Sequence, residues 1–93
     1  MLERSGSALK VTTAMLYGNA SALLASGRAA LDAGVTEVDL GAVSDADSSA
    51  LAVLFAWLRD GRSRNVSLRI VNPPAGLLSL AGLYGVDDFL PLA

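Results

Sequence analysis

Histidine and cysteine are both absent from this chain of 93 residues, so any chemistry would fall to hydroxyls and carboxylates. Ser–His and Cys–His nucleophile pairs are excluded by composition, as are zinc sites built from His and Cys. The densest group of reactive side chains is Ser44-Asp45-Ala46-Asp47-Ser48-Ser49. Asp39, Asp45 and Asp47 could gather a hard cation, but acids this close together before a helix read as turn and cap residues, so no metal and no cofactor is expected. A paired-carboxylate hydrolase needs two acids across a cleft, which so local a spacing does not suggest. The chain contains no G-x-x-x-x-G-K-[ST] phosphate loop and no G-x-G-x-x-G after a strand. The expectation is a binding protein and not an enzyme.

The acidic and hydroxyl cluster is placed by what flanks it. Thr36-Glu37-Val38-Asp39-Leu40 reads as a strand, and Ala50-Leu51-Ala52-Val53-Leu54 opens a helix that runs towards Gly61, expected as its left-handed cap. Asp47 or Ser48 can accept a hydrogen bond from one of the first free backbone N–H groups of that helix. Ser48 is then set at the sheet's carboxyl edge, exposed beside a helix end, as a docking or modification point.

The helix carries the second clue. Leu51, Leu54, Phe55 and Leu58 recur at i, i+3, i+4 and i+7, which predicts one core-facing stripe. At about 100° per residue the opposite face holds Ser49, Val53, Ala56 and Asp60, flanked by Trp57. A solvated face should be charged, whereas this one stays small and apolar until its last turn. Such a helix is buried on both sides or forms half of an interface. The expected partner-binding set is Asp47, Ser48, Ser49, Val53, Ala56, Trp57 and Asp60.

The rest of the chain supplies a scaffold. Residues 1–7 read as a frayed end or short edge strand, Ala8–Tyr17 as a strand, Ala22–Ala33 as a helix and Val35–Leu40 as a strand. Val66–Val71 alternates as a strand, Pro74 opens a third helix with Leu77, Leu80, Ala81 and Tyr84 inward, and Val86–Leu92 could hold a last short strand. Strand–helix alternation predicts an α/β fold with a largely parallel sheet in one domain, residues 1–93. Net charge is −2, with nine acidic and seven basic residues, which argues against nucleic acid as a partner. Arg59, Arg62, Arg64 and Arg69 cluster near the end of the second helix, where cations complement a helix C-terminus; the alternative is that this basic end touches an acidic patch on a partner or lipid headgroups. No signal-peptide pattern and no apolar run near the roughly 20 residues of a membrane span is present, so a cytoplasmic protein is expected.

A strand, a short loop and Asp47-Ser48-Ser49-Ala50-Leu51 opening an apolar helix resemble the STAS domain, whose pattern is Asp-[Ser/Thr]-x-[Gly/Ala]-Leu. Gly18 is similar to the glycine that ends the family's early strand, and Asn72-Pro73-Pro74 falls where these domains turn into a helix. The family includes anti-sigma-factor antagonists and the small STAS subunit of the Mla phospholipid-transport ABC system. The resemblance implies a mixed, mostly parallel sheet with helices mainly on one face and a role without catalysis. It also implies that Ser48 matches the hydroxyl residue that antagonists have phosphorylated by a partner kinase. Ala50 replaces the glycine usual in antagonists, and Leu83-Tyr84-Gly85-Val86 with Phe89-Leu90-Pro91 looks like the short Mla-type ending. The implied role is to support the cytoplasmic ATPase of an Mla-type transporter that maintains outer-membrane lipid asymmetry, with a permease in the same complex. Such a protein would sit peripherally at the inner membrane through its partner. The alternative is an anti-sigma-factor antagonist switched at Ser48 by an anti-sigma-factor kinase.

Overall fold

The computed structural model describes residues 1–92. Strand β1 (Leu2–Ser5) reverses at Gly6, whose φ of +60° suits a residue without Cβ, and pairs antiparallel with β2 (Ala8–Val11). Helix α1 (Ala20–Ala30) leads to β3 (Glu37–Asp39), helix α2 (Ser48–Ser63) to β4 (Arg69–Val71), and helix α3 (Ala75–Leu83) follows. The four strands lie in the order β1-β2-β3-β4, with β2, β3 and β4 mutually parallel. The fold is therefore α/β with a mixed sheet, as expected.

Both crossovers, β2–α1–β3 and β3–α2–β4, step the same way across the sheet. Right-handed connections then put both helices on one face. Burial agrees with this. Leu9, Val38 and Ile70 stand in register across three strands and are buried, whereas Lys10, Glu37, Asp39 and Arg69 alternate to the other face and remain partly or fully exposed. The core lies between the sheet and the helices, and its largest fully buried side chain is Trp57.

Several boundaries differ from the sequence expectation. The first long strand ends at Val11, and Tyr17–Asn19 forms a 3-10 turn, because Asn19 binds this segment to itself: its Oδ1 accepts the Leu16 N–H at 2.9 Å and its Nδ2 donates to the Ala14 carbonyl at 2.7 Å. Gly61 does not end α2 but lies buried inside it. The Val66 carbonyl would sit 3.0 Å from a Cβ there, so glycine answers a close backbone approach. The left-handed residue is Asn65, with φ 61°. Val86–Leu92 forms a 3-10 turn at Asp87–Phe89 and an isolated parallel bridge from Leu92 to Ile70, in place of a strand. Of the expected inner face of α3, Leu77 and Ala81 are buried but Tyr84 is 56% exposed.

The Arg cluster also divides. Arg64 donates to the carbonyls of Arg28 and Leu31, at 3.1 and 2.8 Å, so it caps the end of α1 and not of its own helix. Arg59 and Arg62 remain exposed on the last turns of α2.

Candidate functional site

The loop before α2 is bound to the end of the β2 region. Met15 donates its N–H to the Asp45 carbonyl at 2.9 Å, and Asp47 donates back to the Met15 carbonyl at 3.1 Å. Asp47 then closes the junction with its side chain. One carboxylate oxygen accepts the Ser49 N–H at 2.8 Å and caps α2, and the other accepts the Tyr17 N–H at 2.9 Å. The Tyr17 N–H is the largest influence and holds the Asp47 carboxyl below the ordinary carboxylate range; desolvation opposes it, and the Ser49 N–H adds a lesser lowering. Asp47 is thus a charged clasp between two loops.

That clasp leaves Ser48 exposed at the first position of α2. Beside it runs a shallow cleft of about 450 Å³ walled by Tyr17, Gly18, Ser21, Leu24, Ser49 and Ala52. Tyr17 is 83% exposed. Large, amphipathic and open, it has the properties of an interface anchor. Sequence does not single out Tyr17 or Ala52, and marks Gly18 only as a strand-ending glycine. The available signal was an aromatic immediately before Gly-Asn, which a strand ending at Tyr17 had absorbed.

The expected binding face of α2 needs correction. Trp57 is 0% exposed, Val53 4% and Ala56 5%. Helix α1 covers Trp57. Trp57 fits over Gly27, where a Cβ would overlap the indole ring, and its Nε1 donates to the Leu24 carbonyl at 3.2 Å. The indole N–H is satisfied inside the fold, so Trp57 offers no surface to a partner. Asp60 forms an ion pair with Arg28 of α1. The buried arc of α2, centred on Ala50, Val53, Leu54 and Trp57, is therefore rotated by roughly a quarter turn from the predicted stripe. Phe55 and Leu58 are only half-buried. Of the expected set, Asp47, Ser48 and Ser49 come together at the surface, Val53 lies largely buried at the wall of the adjoining cleft, and Ala56, Trp57 and Asp60 serve helix packing.

The acidic residues do not converge. Asp39 accepts the Gly41 N–H at 2.8 Å and the Asn72 side-chain amide at 3.2 Å, which together lower its pKa. Among the described residues no group of three or more acids is placed to hold a metal ion, and no helix is long and apolar enough to cross a membrane.

A family profile described as Mlab, STAS domain, matches residues 1–92. The chain belongs to the STAS-domain family. Among curated proteins it is 37% identical over 60 residues to the intermembrane phospholipid transport system binding protein MlaB of Haemophilus influenzae. That alignment takes in 64% of this chain and 57% of the relative, so it spans little more than half the relative's length. Solved STAS folds are similar in shape at low identity. An anti-sigma factor antagonist from Thermotoga maritima superposes with a TM-score of 0.69 at 16% identity, covering 99% of this chain and 83% of that one. The unphosphorylated antagonist SpoIIAA gives 0.67 at 16% identity, covering 99% and 84%. The murine anion transporter Slc26a9 gives 0.71 at 15% identity, covering 92% of this chain but 15% of that one. These likenesses establish the STAS fold.

Proposed function

We propose that this STAS domain is a non-catalytic subunit of an Mla-type phospholipid-transport ABC system, which binds and supports the cytoplasmic ATPase of that system. The observation that carries the reading is the 37% identity to a protein named for intermembrane phospholipid transport. The site geometry supplies the means. Ser48 and Ser49 at the start of α2, with Tyr17 and Ala52 along the adjoining cleft, form a contact surface held rigid by Asp47. A rigid surface loses little conformational entropy on binding. The protein hydrolyses nothing itself and reaches the inner membrane through its partner, in a complex that also holds the permease.

The exposure of Ser48 favours one second reading, an antagonist switched by phosphorylation. A phosphate there would meet the favourable N-terminus of α2 but also the carboxylate of Asp47. It would therefore disrupt a contact, not order a loop.

The test is affinity capture of the tagged chain from its own cells after mild detergent solubilisation. An ABC ATPase captured with a permease is the expected result, retained by Ser48→Thr and lost with Ser48→Asp. Capture of a soluble kinase without a permease moves the protein to sigma-factor regulation.

A further inference from the structure

The far end of α2 carries a second concavity, separate from the Ser48 cleft. It has a volume of about 570 Å³, and its walls come from the last turns of α2, the segment before β4 and the C-terminal 3-10 turn. The floor is apolar, with Phe55, Leu58, Val86 and Phe89 among its members. Arg59 and Arg62 stand along one wall at i and i+3, and so on one face of the helix. The ion pairs among the described residues are Arg4–Asp32 and Arg28–Asp60, so neither wall arginine is neutralised by a carboxylate. Arg64 and Arg69 are directed to backbone carbonyls instead. Asp60, between the two arginines in sequence, is paired with Arg28 and does not line the cleft, and Asp87 and Asp88, beside the floor residues in sequence, are exposed and do not line it either. Phe89 is 71% exposed at the cleft.

Two guanidinium groups over an apolar floor define a ligand with two ends. A simple anion leaves the floor wet, and a plain hydrocarbon leaves the guanidinium groups unpaired. The volume falls within the roughly 300–1,000 Å³ of small-molecule sites. A stable protein interface engages about 20–30 residues a side, two to three times what this cleft presents. We propose that the cleft binds a single-chain anionic amphiphile, with its acyl chain on Phe55, Leu58, Val86 and Phe89 and its head group between Arg59 and Arg62. Fatty acids and lysophospholipids share this chemistry. The inference does not rest on the partner site at Ser48.

The test is titration of the 15N-labelled full chain with dodecanoate, decanoate, dodecyl phosphate and uncharged 1-decanol, each below its aggregation threshold, followed by amide NMR. Dodecanoate should give saturable shifts at Leu58, Arg62, Leu68, Val86 and Phe89. Removing two methylenes should weaken binding about tenfold. The double variant Arg59→Gln/Arg62→Gln should weaken dodecanoate about tenfold and leave 1-decanol unchanged, with its thermal midpoint retained to show that it folds. Tighter binding of dodecyl phosphate than of dodecanoate points to a lysophospholipid and the reverse order to a fatty acid, and either order supports the proposal. Non-saturable shifts, shifts centred on Tyr17 and Ser49, or equal loss of 1-decanol in the double variant overturn it. So does movement of the same amides when protein concentration alone is raised, because the occupant is then a second copy of the chain.

Discussion

Gly27→Ala tests the packing of α1 on α2 because two physical effects predict opposite signs. Helix propensity alone favours alanine over glycine inside α1 by about 1 kcal/mol. The structure places the added methyl group within the ring of Trp57, which is 0% exposed and has no free space to turn into. Overpacking of this kind costs about 1–3 kcal/mol, and here the opposed surfaces are a helix backbone and a rigid indole, which puts the cost at the upper end. The net expectation is a loss of about 2 kcal/mol, near 10 °C in thermal midpoint at roughly 4–8 °C per kcal/mol for a domain of this size. Far-UV circular dichroism with heating measures it without relying on the fluorescence of the tryptophan. Trp57→Phe makes room at the same contact, so Gly27→Ala should cost far less in that background, with a coupling of about 1–2 kcal/mol. A rise in midpoint for Gly27→Ala, or equal losses in the two backgrounds, would refute the proposed fit.

Three further outcomes are expected. The Asp47 carboxyl is held below its ordinary value of 3.8 in the folded protein, so its contribution to stability is complete above that value and is lost as pH falls through the lower folded one. The thermal midpoint of Asp47→Asn should therefore change less than that of the parent between about pH 4 and pH 2; parallel acid profiles would remove Asp47 from the account. Asn65 has φ 61°, and Asn65→Ala should cost about 1 kcal/mol by urea unfolding while Asn65→Gly costs little or stabilises. Tyr17→Ala should weaken capture of the ATPase at least tenfold without moving the thermal midpoint, because the ring is exposed and touches little of the core; unchanged capture would exclude the Tyr17 cleft from the interface.

How legible the molecule was depends on whether a feature is local or tertiary. Element order, the Asp47 cap and the opening of α3 after Pro74 followed from residue type and neighbours, since caps and proline act within one turn. The orientation of α2 did not follow. Periodicity weights bulky residues, and Leu51, Leu54, Phe55 and Leu58 form the bulkiest stripe, yet the helix is turned so that Trp57 enters the gap over Gly27. A glycine in one helix matched to a tryptophan in another, 30 residues away, leaves no periodic trace in either. Tyr17 was missed for a similar reason. Its exposure is set by the Asn19 side chain folding back on Ala14 and Leu16, an arrangement that a β-branched run followed by Gly-Asn does not announce.

The cap of α2 is made by the Asp47 carboxylate and not by the Ser48 hydroxyl, which stands exposed beside it. On the proposed reading, lengthening that hydroxyl by a methyl group or covering it with another protein would leave the cap beneath in place. A reversible mark there would alter what the surface says without altering what holds it up. Contact and stability would then be set one at a time, at adjacent residues.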